Sequence, residues 1–237
     1  MVSDPLYFRQ LLSGRDFAVE NSLARQMANF TYVVGDAATR EVLLVDPAYA
    51  PEELLALLAA DDVNLIGVVA THYHADHIGG DLLGHRVSGI AELSRVVDVP
   101  IHVQASEATW VTRGTGVGSP PVVAHQPGEV LWVGAIPVTL LHTPGHTPGS
   151  QCLYVEGRLM SGDTLFIDGC GRTDLPTADP GEMYLSLQRR LADLPDETLL
   201  FPGHFYSPEP FATLGEVRKK NVVLVPRSAA EWLDHFG

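Results

Sequence analysis

The chain has 237 residues, 46% of them hydrophobic and 19% charged, with a formal net charge of −14. That length and balance fit a globular α/β protein of one domain, or one and a half, with a sizeable core, and argue against a disordered chain. The charge argues against a nucleic-acid partner, because phosphate binding needs clustered cations and the 15 Lys and Arg are spread along the chain. Bound divalent cations would offset part of the negative charge. Cys152 and Cys170 are the two cysteines; they give no disulfide framework and fit a reducing compartment, with Cys152 expected in the core. The start, Met1-Val2-Ser3-Asp4-Pro5, lacks a basic segment followed by an apolar one, and no run approaches the roughly 18 apolar residues of a membrane span. The expectation is a cytoplasmic protein with no membrane partner.

Residues 30–34 and 41–46 are apolar runs separated by Gly35-Asp36-Ala37-Ala38-Thr39-Arg40, a hairpin pattern. Pro51 to Ala60 places Leu54, Leu55, Leu57 and Leu58 at helical spacing, with Pro51 suited to a first turn. Residues 65–70 read as a buried strand and 101–103 as a short one. Ser106 with Glu107 opens a helix that the Gly114 to Pro121 stretch breaks. Strands follow at 130–133, 136–141, 151–155 and 159–161. A helix is predicted over 181–194 and a strand over 198–201, and from about residue 209 the chain reads as helical apart from 222–225. Strands grouped in each half, with helices between them, predict two packed sheets covered by helices. One domain over 1–237 with a short C-terminal helical extension accommodates this; no linker or internal repeat is visible.

The distinctive stretch is Thr71-His72-Tyr73-His74-Ala75-Asp76-His77-Ile78-Gly79-Gly80, which sets four metal-ligand side chains within six positions directly after a strand. Neutral imidazoles with a carboxylate suit zinc, iron or manganese. His72 and His74 would point the same way if strand geometry persisted, whereas Asp76 and His77 need a turn to face a common point. Later strand ends carry further ligand types beside glycine: His146 in Pro144-Gly145-His146, Asp163 in Gly162-Asp163, and His204 in Gly203-His204. Loops at strand ends are where a rigid scaffold presents ligands.

His-x-His-x-Asp-His followed by isolated His, Asp and His resembles the metallo-β-lactamase-fold hydrolases, with residues 30–206 carrying the motifs. The resemblance implies an αβ/βα sandwich with its site at one edge, between the sheets. It also implies His72, His74 and His146 on one metal, Asp76, His77 and His204 on a second, and Asp163 bridging. Within that family, Gly169-Cys170-Gly171-Arg172-Thr173-Asp174 looks like a segment shared by glyoxalase II enzymes and persulfide dioxygenases, which act on thiol-linked substrates.

The first reading implied is thioester hydrolysis with two divalent ions, zinc foremost and iron or manganese as options, and with Asp76 and Asp163 as the catalytic carboxylates. A thiolate of pKa about 8.5 leaves without full protonation, so little beyond the ligands is needed. Arg172 and Tyr206 match positions that contact the thiol cofactor in relatives, and Arg218-Lys219-Lys220-Asn221 resembles a glutathione-binding segment, putting Arg218 and Lys219 forward as substrate residues. Arg172 would otherwise pin its own loop through Asp174. The second reading is a persulfide dioxygenase with one Fe(II) held by His72, His146 and Asp163. Further alternatives are a lactonase, for which Trp110, Val117 and Phe205 would supply an apolar pocket, a phosphodiesterase, or a non-catalytic scaffold. Residues 82–99 are longer than the glyoxalase pattern and would form a lid or rim, and the C-terminal helical region is shorter. The expected partner is a small thiol-linked molecule, and either a monomer or a homo-oligomer fits. His85, His102, His125, His142 and His235 have no assigned role.

Overall fold

The computed structural model describes residues 5–118, 121–225 and 227–236. The Met1–Asp4 start, and Ser119 and Pro120 of the predicted helix break, lie outside the described residues. The first half runs β1 (Leu6–Leu12), α1 (Ser22–Met27), β2 (Phe30–Asp36), β3 (Glu41–Val45), α2 (Pro51–Ala60), β4 (Asn64–Val69), α3 (Ala75–Ile78), β5 (Gly80–Leu82), β6 (His85–Val87), α4 (Ile90–Leu93), β7 (Ile101–Gln104), α5 (Ala108–Thr115) and β8 (Val122–His125). The second half supplies β9 (Val130–Val133), β10 (Ile136–His142), β11 (Gln151–Val155), β12 (Arg158–Gly162), α6 (Pro180–Leu185), β13 (Leu199–Pro202), β14 (Ala212–Thr213), α7 (Leu214–Lys220) and α8 (Ala229–Phe236).

These strands form two six-stranded sheets, β1-β2-β3-β4-β7-β8 and β14-β13-β12-β11-β10-β9, while β5 and β6 pair as a separate hairpin. Both large sheets are mixed: β2–β3 is antiparallel and β3–β4 parallel in the first, β11–β12 antiparallel and β12–β13 parallel in the second. Period-two patterning sorts their side chains into layers. Phe30, Tyr32 and Val34 of β2 and Leu43 and Val45 of β3 meet Val138, Leu140, Leu153, Val155 and Met160 between the sheets. The alternate residues Val33, Val42 and Leu44 face outward and are covered by Leu54 and Leu58 of α2. On the far side Cys152, Leu159 and Leu200 pack under Met183, Val217 and Trp232. Each such side chain contributes about 1.5–3 kcal/mol by leaving water, and the layers together make the expected αβ/βα sandwich.

One local expectation is corrected. The 181–194 helix is α-helical only to Leu185 and widens to π turns over Ser186–Arg190. There Ser186 Oγ turns inward to donate to the Pro144 carbonyl at 2.6 Å, and Leu191 N reaches back to Ser186 O. Residues 222–225, excepted from the helical reading, hold a 3₁₀ turn over Val222–Leu224, where Asn221 caps it by accepting from Val223 N at 3.1 Å. Asn221 also donates to the carbonyls of Phe166 and Gly169, fixing the loop after β12. Among the described residues no helix is long and apolar enough to cross a membrane.

Candidate metal centre

All the ligand candidates lie where strands of the two sheets end. Past the end of β4 come Thr71 and His72, then His74 as the N-cap of α3, with Asp76 and His77 inside that helical turn. The turn that Asp76 and His77 require is therefore one turn of helix. His146 sits in the β10–β11 loop, Asp163 directly after β12 and His204 directly after β13. Since β12 and β13 run parallel, Asp163 and His204 emerge at the same edge. Two glycines permit the crowding: a Cβ at Gly203 would lie 2.5 Å from Asp163 Oδ1, and one at Gly171 would lie 2.9 Å from His146 Nδ1.

The ligand atoms form three overlapping groups, each within 4.8 Å: His72, His74 and His146; His72, His77 and Asp163; Asp76, His77 and His204. Asp163 links them, with Oδ1 3.3 Å from His77 Nε2 and Oδ2 3.6 Å from His146 Nε2 and 3.4 Å from His204 Nε2. Asp76 Oδ2 lies 3.4 Å from His204 Nε2. The donor set fits metal ions on an independent ground: His72 Nε2 and Asp163 Oδ1 are buried with no hydrogen-bond partner. Orphaned atoms of that kind are costly unless a cation completes them.

Imidazole tautomers are set from behind. His77 Nδ1 is 2.9 Å from Asp46 Oδ2, His146 Nδ1 donates to the Arg172 carbonyl at 2.8 Å, and His204 Nδ1 donates to the Met27 carbonyl at 2.8 Å. His72 Nδ1 lies 3.0 Å from Thr71 Oγ1, whose own proton goes to Asp46 at 2.6 Å. Each of these rings is left presenting Nε2 to the centre, and such outer partners tune ligand strength. Burial, reinforced by neighbouring imidazoles, pushes His72 well below the usual histidine range and His74 to about 4, keeping both neutral. Against the burial that opposes ionisation, His204 and His77 hold Asp163 well below the usual carboxylate range.

Three buried polar residues complete the support, and none of them was a site candidate in the sequence. Asp46 accepts from Thr71 N as well as its hydroxyl. Asn29 donates to Asp76 Oδ2 at 3.0 Å while accepting from Tyr49 at 2.9 Å. Glu107 accepts from Tyr73 N, Thr147 Oγ1 and Gly149 N at 2.7–2.8 Å. Asp46 closes an apolar strand run, which is the one hint available in advance; Asn29 and Glu107 reach partners too distant in sequence to be seen.

A cavity of about 870 Å³ opens from the ligands and is lined in part by Arg172 and Tyr206. Tyr206 stacks on His204, with ring centres 4.5 Å apart. Arg172 is bidentate to Asp174, the loop-pinning pair considered above. Arg218 and Lys219 are not among the lining residues: Arg218 is tied to Asp196 and to the carbonyls of Leu191, Ala192 and Leu194. Trp110, Val117 and Phe205 do not line it either; Trp110 stacks beneath Tyr73 and Phe205 packs on Phe30. The 80–87 hairpin contributes Leu82 and Leu83 to the rim. His142 donates to the Pro148 carbonyl of the His146 loop at 3.0 Å.

Histidine and aspartate groups at the edge of an αβ/βα sandwich define a metal-binding protein of the metallo-β-lactamase fold. The profile of the Metallo-beta-lactamase superfamily matches residues 24–204, and the chain belongs to that superfamily. It is 38% identical over 167 residues to a hydroxyacylglutathione hydrolase of Aeromonas hydrophila subsp. hydrophila, covering 70% of this chain and 57% of that one, a little over half its length. It is 28% identical over 213 residues to the mitochondrial persulfide dioxygenase ETHE1 of Bos taurus, covering 88% of this chain and 76% of the relative. The crystal structure of ETHE1 from Myxococcus xanthus superposes with a TM-score of 0.77 at 29% identity, over 96% of this chain and 88% of that one.

Proposed function

We propose that the chain is a metal-dependent hydrolase that cleaves a thioester of a small thiol, using His72, His74, Asp76, His77, His146, Asp163 and His204 as ligands. The observation that carries the reading is Asp163, whose two oxygens face imidazoles of different groups. Together with Asp76, His77 and His204 this is a larger donor set than one ion with a three-residue face requires. Two divalent ions bound there, zinc foremost, would supply water acidified to near neutrality and a Lewis acid for the thioester carbonyl.

The chain's own residues do the rest. Asp76, oriented by Asn29 through Oδ2, holds the attacking water and takes its proton. Asp163 keeps the His146 and His77/His204 sides of the centre in register. Burial, with Asp163 and Asp76 nearby, pushes the Tyr206 hydroxyl above the usual tyrosine range, so it stays protonated and able to donate to the substrate. Arg172 lines the thiol side. The departing thiolate needs no dedicated acid. Two free cysteines accord with a reducing, cytoplasmic setting.

A second reading, persulfide oxidation with a single iron, is favoured by the likeness to ETHE1 over nearly the whole chain. Metal analysis of protein purified without added metal separates the two. About two divalent ions per chain, with thioester cleavage and no oxygen uptake, is the expected result. One iron per chain with oxygen consumption on a thiol persulfide would overturn the hydrolase reading.

A further inference from the structure

At about 870 Å³ the cavity is far larger than a two- or three-carbon acyl group fills. Its lining includes the apolar side chains of Met27, Tyr73, Leu82, Leu83, Phe166 and Leu175. Leu83 is the informative member. It sits at the tip of the β5–β6 hairpin with φ +53° and is 95% exposed. Gly84 beside it has φ +86°, so both residues of the two-residue turn are left-handed. Asn, Asp or Gly normally occupies the first such position, since leucine there is strained and its side chain gains nothing from solvent. A strained, wholly exposed leucine aimed along a cavity rim makes sense if a ligand covers it.

The charges point the same way. Among the described lining residues Arg172 is the one Lys or Arg, and the Nε–Nη2 edge of its guanidinium is taken by Asp174 at 2.8 Å. The mouth adds two carboxylates, Asp81 and Asp168. An anionic carrier would meet these acids, and the formal charge of −14 behind them, against a single guanidinium already shared with Asp174.

Building on the thioester reading, we infer that the cavity takes an uncharged thioester: a thiol carrier without carboxylates or phosphates, bearing an apolar body that Leu82 and Leu83 cover. In the reaction the water oxygen bonds to the carbonyl carbon and the C–S bond breaks. Its electron pair leaves on sulfur, which takes up one of the water's protons; the other is released, and the products are a carboxylate, the free thiol and a proton.

Binding and turnover are tested separately. Calorimetry on the metal-loaded protein compares two unreactive thioethers, octyl N-acetylcysteamine and S-octylglutathione. The neutral one is expected to bind at least tenfold more tightly, with affinity rising up to about fourfold per buried methylene across butyl, hexyl and octyl chains. Leu83→Asp should remove most of that chain-length dependence without threatening the fold, being at an exposed tip. Asp174→Ala, which frees the Arg172 guanidinium, should strengthen S-octylglutathione binding several-fold and leave the neutral thioether within twofold. Tighter binding of S-octylglutathione by the unaltered protein, or no chain-length dependence, would overturn the inference. Turnover of the matching octanoyl thioesters reports on the other claim: a neutral thioether that binds tightly while its thioester survives intact would sink hydrolysis and leave the cavity assignment standing.

Discussion

Glu107 accepts the backbone amide of Tyr73 at 2.7 Å from a position with no solvent exposure. Its remaining donors, Thr147 Oγ1 and Gly149 N, belong to the loop of His146. One carboxylate thus ties the loop of His72 and His74 to a loop of the opposite sheet, although it touches no ligand itself. Burial, opposed by these hydrogen bonds, pushes Glu107 up to about 7. Glu107→Gln keeps the shape but turns one acceptor into a donor facing an N–H. We expect a loss of about 1–3 kcal/mol in stability and a 10- to 100-fold loss in metal affinity, read by urea titration and chelator competition. An unchanged chelator midpoint would reduce Glu107 to a packing residue.

Asp163 and His74 should respond differently to removal. His74 belongs to one of the three ligand groups, whereas Asp163 faces His77, His146 and His204 at once. After dialysis His74→Ala is expected to retain metal at the Asp76, His77 and His204 group, while Asp163→Ala loses metal from both sides. Each variant should show a circular dichroism spectrum like that of the parent. Equal retention by the two variants would contradict the linking role of Asp163.

His102 predicts a pH effect away from the centre. Its Nδ1 lies 2.9 Å from His125 Nε2, which is bound in turn through Nδ1 to Glu129. Burial and then His125 push His102 down to about 4. The unfolded chain takes up a proton near pH 6.5, so stability present above that value is lost as pH falls towards 4, by about 2–3 kcal/mol. His102→Gln should flatten that loss, and parallel urea curves at pH 7.5 and 4.5 measure it. A variant as acid-sensitive as the parent would rule His102 out as the cause.

Trp232 is fully buried on α8, donates from Nε1 to the Val223 carbonyl at 3.0 Å and packs on Tyr184 and Phe236. Trp232→Ala should cost about 3–5 kcal/mol, visible as a lower melting temperature. A shift of a degree or two would mean that the C-terminal helix contributes little to the second sheet's cover.

The ligand stretch was legible in the sequence because metal ligands at that density have few other uses, and the sheets because residues 30–46 and 130–155 alternate or run apolar. Other parts were not. β1 carries Arg9 and Gln10 amid its apolar residues and is specified by full pairing with β2 rather than by its own pattern. α1 is a six-residue helix held by the Asn21 cap, and β8 is four residues long between proline and turn. Val222, Val223 and Val225 carry strand propensity, yet they follow a capping asparagine that starts a 3₁₀ turn. Asp46, Asn29 and Glu107 did not stand out for a different reason: the partners named above lie 20 to 47 residues away and are backbone amides, hydroxyls, a carboxylate and an imidazole.

The spacing of His77 and His204 has a consequence for folding as well as chemistry. Their Nε2 atoms meet at 3.2 Å although 127 residues separate them. Ions gripping both would act as a clasp between the two halves of the chain. Each ion would offset the entropy of closing so long a loop, stabilising the assembled sandwich in proportion to the logarithm of free metal concentration over its dissociation constant. Chelation should then be felt first where the two sheets meet at that edge, as faster amide exchange in the Asn29 to Thr31 and Gly203 to Phe205 segments that bridge there.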